Sequence, residues 1–170
     1  SALIDLYSRS SRKIPGTFFE VMISALISAT TGLKAGKQIP IPDSRIPIPD
    51  SKTKVTTDIV FEANGNYKSS LIVPTKTSTR ERIVQPYAHQ LILEKVFGQD
   101  KYKTVLVSVG EVQLMKNKES KRIQETLVPG QIALYQKYVA QLSGLYYADL
   151  PEKYTVLPNL PAKPLNQLFN

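Results

Sequence analysis

The sequence predicts an α/β (α+β) fold in which a mixed central β-sheet is flanked by helices. Three observations carry this expectation. Helix-like and strand-like segments follow one another as helix, two strands, helix, two strands, helix, an order that builds a sheet covered by helices. The strand-like stretches 55–62 and 68–76 are joined by Asn64-Gly65-Asn66, residues that accept the positive φ of a tight hairpin. The segment TVLVSVGEVQLM (104–115) opens as an unbroken apolar run, as strands buried on both faces do. A chain of 170 residues is long enough to bury a proper core, so one domain over 1–170 is expected.

Taken in order, residues 2–9 are weakly helical and end in a basic patch of Arg9, Arg12 and Lys13. Pro15 and Gly16 punctuate the chain, and Thr17 with Glu20 three residues on has the capping-box pattern. A helix is expected from Phe18 to about Thr31. Phe18, Val21, Met22, Ala25, Leu26 and Ala29 lie at helical spacing, and Phe19, Ile23 and Ile27 widen the stripe, so burial on more than one side is expected. Glu20 reads either as a cap or as a carboxylate leaning towards a site.

Residues 32–53 form a Pro-rich arm. IPIPDSR (39–45) is followed at once by IPIPDSK (46–52). Prolines at alternate positions cannot donate ladder hydrogen bonds, so the stretch is extended and at best an edge strand. It reads as a loop lengthened by duplication, with a gripping arm as the alternative. The strand 55–62, its hairpin turn and the strand 68–76 follow, then a helix over about 79–97 capped by Thr77 or Ser78. Pro86 marks a kink or break in that helix. After the strand 104–115 come a charged loop (116–121), a short strand (122–128) and a helix opening at Pro129-Gly130. The tail 145–170 is Pro-rich and expected to wrap the surface, with Tyr146 and Tyr147 packing it down.

Lys and Arg number 22 against 14 Asp and Glu, a net charge of +8, which points to a polyanionic partner, most simply nucleic acid. The absence of cysteine removes disulfides, thiolate metal sites and thiol nucleophiles, and fits a cytoplasmic location. The apolar run FFEVMISALISA is broken by Glu20 and reads as too short to span a bilayer; no signal peptide is evident. A chain opening on Ser rather than Met reads as trimmed or processed, leaving room for a further domain.

His89 is the single histidine, and neither a nucleophile elbow nor a Gly-rich phosphate loop is present. That removes multi-histidine metal sites, serine hydrolases and P-loop or dinucleotide chemistry. What remains is carboxylate-plus-lysine chemistry. Asp58 lies in mid-strand, where Asp is disfavoured, and Lys76 ends an apolar strand. On adjacent antiparallel strands the two can converge, as a site or as a structural ion pair. Divalent metal on carboxylates activates water and offsets charge on phosphorus, and hard oxygen ligands suit Mg²⁺.

These residues resemble the PD-(D/E)xK nuclease superfamily: a helix with an acidic residue, a β-hairpin carrying Asp and Lys, then a helix. KTSTRERIVQ (76–85) is similar to the Lys-Thr-Thr-x-x-Asp-Arg-x-x-Gln stretch of type II restriction endonucleases of the EcoRII and NgoMIV kind, matching at Lys76, Thr77, Ser78, Glu81, Arg82 and Gln85. The resemblance covers about residues 17–115. It implies a restriction-endonuclease-like fold, Lys76 as catalytic, Asp58 as catalytic metal ligand and Glu20 as a second acid and ligand. It also implies Mg²⁺, with Mn²⁺ possible, as cofactor, and a prokaryotic cytoplasm. Two before Lys76, however, stands Pro74 rather than Asp or Glu. Gln90, the carbonyl of Pro74 or Thr75, Glu20, Glu62 or Glu111 are the groups that could complete the centre. On the following helix, where the EcoRII-like group carries its acid, the chain offers His89 and Gln90, with Glu94 a turn further.

Arg80, Arg82 and Gln85 are expected to contact DNA, since Arg pairs with guanine and Gln with adenine. Lys116 and Lys118, with Lys121 and Arg122, form a second basic cluster suited to phosphates. The expected function is a sequence-specific, metal-dependent double-stranded DNA endonuclease acting as a homodimer, because a palindrome asks for two equivalent sites. The alternatives are a nucleic-acid-binding module that holds without cutting and a basic structural protein of a ribonucleoprotein.

Overall fold

The computed structural model describes residues 13–42, 53–65, 67–79, 83–116, 121–125, 129–150, 152 and 162–169. The basic patch at Arg9 and Arg12, most of the proline repeat, Arg80, Glu81, Arg82 and Lys118 lie outside them. Helix α1 (Lys13–Thr31) is followed by β1 (Ala35–Pro40), β2 (Lys54–Phe61), β3 (Ser70–Val73) and β4 (Thr75–Lys76). Helix α2 (Val84–Phe97), β5 (Tyr102–Ser108), β6 (Val112–Lys116), β7 (Lys121–Glu125), α3 (Pro129–Tyr138), β8 (Gly144–Tyr147) and β9 (Ala162–Pro164) complete the order, with a final 3₁₀ turn at Leu165–Leu168.

Seven strands form one mixed sheet in the order β1-β2-β3-β5-β8-β9, with β4 beside β5. The β1–β2 and β2–β3 pairs are antiparallel; the β3, β4 and β8 pairings with β5, and β8 with β9, are parallel. β6 and β7 form a separate antiparallel ribbon. Side-chain alternation sorts the sheet into two faces. Ile59, Phe61, Val73, Val105 and Val107 pack with Phe19, Ile23 and Ile27 of α1. Val60 and Ile72 pack with Leu93 of α2, and Leu106 and Leu145 pack with Tyr87 of α2 and Ile132 of α3. The mixed sheet between helices is the expected fold class.

Several local expectations are corrected. α1 starts at Lys13, before Thr17, because a proline is accommodated in a helix's first turn, where its missing N–H has no partner to lose. Thr17 is therefore inside the helix. The apolar row that reaches the core is the narrow one, Phe19, Ile23 and Ile27, while Ile14, Phe18, Val21 and Leu26 are exposed. Ile14–Thr31 is also long and apolar enough, by length and composition, to cross a membrane, unlike the shorter run considered from sequence. α2 begins at Val84, later than expected, so Pro86 sits in its first turn and needs no kink. Residues 145–147, assigned from sequence to a surface tail, belong with Gly144 to a strand inside the sheet, with Leu145 and Tyr147 buried.

Candidate active site

A bulge and a proline create the site. On β1 and β2 the register steps from Gly36↔Val60 to Gln38↔Thr56, so Lys37 alone stands opposite Thr57, Asp58 and Ile59. The step shifts the phase of β2: Val60 and Val55, an odd number of residues apart, pack into the same cluster. Bulges re-aim side chains in this way, and Asp58 lies in the shifted segment.

On the other side, β3 and β4 are one strand interrupted at Pro74. The register against β5 is unchanged across the break, with Ile72↔Thr104 before it and Thr75↔Val107 after it. The Pro74 carbonyl still accepts from the Val107 N–H (3.0 Å). What Pro74 cannot do is donate, and the last β2–β3 pair is Ile59↔Val73. Beyond it the Asp58 side chain takes over from the backbone: Oδ2 accepts the Thr75 N–H at 2.8 Å. The same oxygen accepts from Lys76 Nζ at 3.0 Å. The Asp58 side chain is 30% exposed and that of Lys76 14%, so the pair is shielded yet open to a ligand. Among the described residues none donates to Asp58 Oδ1.

Asp58 and Lys76 face a cleft of about 240 Å³ lined also by Thr56, Thr57, Pro74, Gln85, Pro86 and His89. Gln85, Pro86 and His89 lie on one face of α2 at helical spacing. The His89 imidazole is pushed below the ordinary histidine value by burial, then by the Lys76 ammonium, with Asp58 opposing. It is therefore neutral at pH 7.

Glu20 is half-buried on α1 and forms an ion pair with Lys37 of β1. The hydrogen bond to Glu20 and its charge hold the Lys37 ammonium above the usual lysine range, against a small burial effect, and Asp58 adds to it. Lys37 thus feels both carboxylates, and Glu20 flanks the centre through Lys37 without lining the cleft.

Gln90 does not reach the cleft. Its Nε2 donates to Glu94 Oε1 (2.8 Å) and the Tyr102 carbonyl (3.1 Å), and its Oε1 accepts from Thr104 Oγ1 (2.7 Å). The side chain is buried and pins α2 to β5. Glu94 is occupied with Gln90, and Glu62 accepts from Ser70 Oγ. Glu111, buried, accepts from the Thr79 N–H and Oγ1 and from the Tyr147 hydroxyl, fastening the chain just before residues 80–82. The Pro74 carbonyl belongs to the β-ladder. Of the groups considered from sequence for DNA contact, Gln85 is exposed at the cleft; Lys116 ends β6; Arg80, Arg82 and Lys118 lie outside the described residues. His89, which the sequence offers beside Gln90 without a role in the centre, and Lys37, which sequence reasoning did not single out, are the further site neighbours. His89 carried a signal, its position on the helix after Lys76; Lys37 carried none, since the bulge is not written in composition.

The donor set decides what ion fits. No three His, Cys, Asp or Glu cluster among the described residues, so no all-protein metal cage exists there. One carboxylate with a free oxygen does suit Mg²⁺, which is held by one or two carboxylates together with substrate phosphates.

No family model matches the chain, and no curated protein does. Solved structures do. The fold is similar to that of the type IIP restriction endonuclease Kpn2I, with a TM-score of 0.71 and 34% identity over 94% of this chain and 54% of Kpn2I. It is also similar to the restriction endonuclease PspGI in complex with substrate DNA, with a TM-score of 0.59 and 14% identity over 98% of this chain and 67% of PspGI. The chain spans about half the length of Kpn2I. The fold is therefore restriction-endonuclease-like.

Proposed function

We propose, starting from the fold shared with type IIP restriction endonucleases, that this chain is the catalytic part of a metal-dependent, sequence-specific endonuclease that cuts double-stranded DNA. The observation that carries the reading is the Asp58–Lys76 pair at the head of a cleft, with Lys76 Nζ 3.0 Å from Asp58 Oδ2. The β-ladder accounts for the Asp58 bond to the Thr75 N–H, but not for an ammonium set on the same carboxylate oxygen.

Asp58 would hold the divalent ion, Mg²⁺ or Mn²⁺, through its free Oδ1, with phosphate oxygens of the DNA supplying further ligands. When bound, such an ion polarises the phosphoryl group and lowers the pKa of a coordinated water. The residues do the rest. Lys76, oriented by Asp58, presents a localised positive charge to the scissile phosphate and stabilises the charge that develops on its oxygens. Asp58, anchored by the Thr75 N–H, keeps one carboxylate oxygen turned away from Lys76. Glu20 lies one ion pair further out, where its negative charge acts on Lys37. Gln85, at the cleft mouth, is placed to contact the DNA, and we assign Arg80, Arg82, Lys116 and Lys118 to the same partner on charge and position in sequence. A homodimer follows from the need to cut two strands.

The test is plasmid digestion with Mg²⁺, Mn²⁺ or EDTA, comparing wild type with Lys76→Ala and Asp58→Ala. Discrete fragments in the presence of metal, lost in both variants, are expected. Pro74, standing in place of an acid, favours one other reading, a module of the same fold that binds nucleic acid without cutting. DNA bound but left intact with either metal would establish that reading instead. Normal cutting by both variants would dismiss the site while leaving the activity.

A further inference from the structure

The cleft offers a single carboxylate, Asp58, and beside it a nitrogen donor, His89. Gln90, the neighbouring candidate on α2, is buried against β5 with both its amide atoms engaged. His89 is turned the other way. It shares the cleft wall with Asp58, Pro74 and Lys76, and it is near enough for the charges of Asp58 and Lys76 both to act on it. Among the described residues none hydrogen-bonds to its ring. The cleft, about 240 Å³, has room for an ion and several waters, since a water's share of liquid volume is about 30 Å³.

Resting on the proposed nuclease reading, we propose that His89 is the second protein ligand of the metal centre, alongside Asp58. The site then takes a borderline ion such as Mn²⁺ or Co²⁺ ahead of Mg²⁺. The chemistry follows from ligand type. Carboxylate, carbonyl and water suit Mg²⁺, whereas imidazole suits the later first-row ions, whose affinity for nitrogen rises along the series. Pro74 fits this arrangement: a carboxylate at that position would compete for the same face of the cleft, and proline leaves it to the imidazole.

Because His89 is the chain's single histidine, an imidazole nitrogen on the metal can come from nowhere else in an untagged protein. Mn²⁺ is titrated into the untagged chain, binding is followed by loss of the free-ion EPR signal, and electron spin-echo spectra of the bound ion are searched for ¹⁴N coupling. Wild type is expected to show imidazole coupling. In His89→Ala the coupling disappears and Mn²⁺ affinity falls at least about tenfold, no less than the loss seen when a ligand's supporting partner is removed. His89→Glu, which restores an oxygen ligand, keeps Mn²⁺ affinity without the coupling and lets Mg²⁺ compete better than in wild type. Bound Mn²⁺ without nitrogen coupling in wild type, no Mn²⁺ uptake at all, or unchanged affinity in His89→Ala would each overturn the inference. Asp58→Asn separates the two levels. If it abolishes Mn²⁺ binding while His89→Ala leaves the affinity unchanged, only the role of His89 falls. If Mn²⁺ binding survives Asp58→Asn, the metal centre of the proposed nuclease falls as well.

Discussion

Replacing Gln90 by methionine tests whether this side chain is part of the scaffold or of the chemistry. Methionine keeps the volume and apolar bulk of the site, so overpacking and cavity effects are small. What it removes is the amide that bonds Glu94, the Tyr102 carbonyl and the Thr104 hydroxyl. Glu94 turns to solvent at little cost. Thr104 is fully buried and loses its acceptor, while the Tyr102 carbonyl loses a donor. At roughly 1–3 kcal/mol for each buried group left without a partner, Gln90→Met should destabilise the fold by about 2–4 kcal/mol. With a urea m-value of about 2 kcal/mol per M, the unfolding midpoint should fall by roughly 1–2 M at unchanged slope. Adding Thr104→Val should recover part of the loss, because deleting both partners of a buried hydrogen bond is close to neutral. A negligible midpoint shift, or a double variant whose losses simply add, would refute the scaffold argument. So would a well-folded Gln90→Met that has lost DNA cleavage, since that result would return Gln90 to the reaction.

Three other outcomes are expected. The Tyr87 hydroxyl is buried with no hydrogen-bond partner among the described residues, and burial pushes the phenol well up; Tyr87→Phe should be neutral or stabilise by up to about 1–2 kcal/mol in thermal or urea unfolding, since it removes an unsatisfied polar group. A Cβ at Gly144 would stand 2.5 Å from Tyr146 Cε2 and 3.3 Å from Cδ2 and Cζ; Gly144→Ala should cost about 1–3 kcal/mol, measured by urea unfolding, as overpacking inside the sheet does. The folded His89 titrates below its ordinary value near 6.5, so below that value the unfolded chain takes up its proton first. Stability should therefore be level above about pH 6.5 and fall as the pH drops through the folded pKa, and a His89→Asn variant should show a flatter acid limb in melting temperature against pH.

The parts of the fold legible in the sequence are those set by neighbours in the chain. The antiparallel β2–β3 pairing is one: alternation in 55–62 is a local signal, and the pairing Val60↔Ile72 follows; the tight turn expected at Asn64-Gly65 is not made, since the pairing stops at Phe61↔Leu71 and Gly65 does not take a positive φ. The Asp58–Lys76 pair was legible for the same reason, since two misplaced charges flanking one hairpin have few other ways to meet. The face of α1 was not. Both of its rows are apolar, and only the sheet decides that Phe19, Ile23 and Ile27 turn inwards. Gln90 and His89 were confused because periodicity places neighbours on a helix about 100° apart without saying which side faces the sheet; β5 settles it through Thr104 and Tyr102. Strand β8 was missed because Gly144–Tyr147 is too short to show a period, and its strand character comes from its partners on both sides. Pro74 read as a missing acid; in the fold it is also where the β2 ladder lets go, which frees the Asp58 carboxylate for the Thr75 N–H.

The β1–β2 hairpin is closed by the Ile41 N–H donating to the Thr53 carbonyl at 2.9 Å. The second copy of the proline repeat, 46–52, falls between those two ends. The bulge opposite Lys37 then separates the outer part of β2 from the part that carries Asp58. Removing or adding one heptapeptide is therefore expected to leave the cleft in place, because the closing bond and the phase break lie between that stretch and Asp58. Lengthening a loop costs only about 0.6 kcal/mol for each doubling. Variants that lack or add one heptapeptide should therefore keep the fold and the Asp58–Lys76 pair.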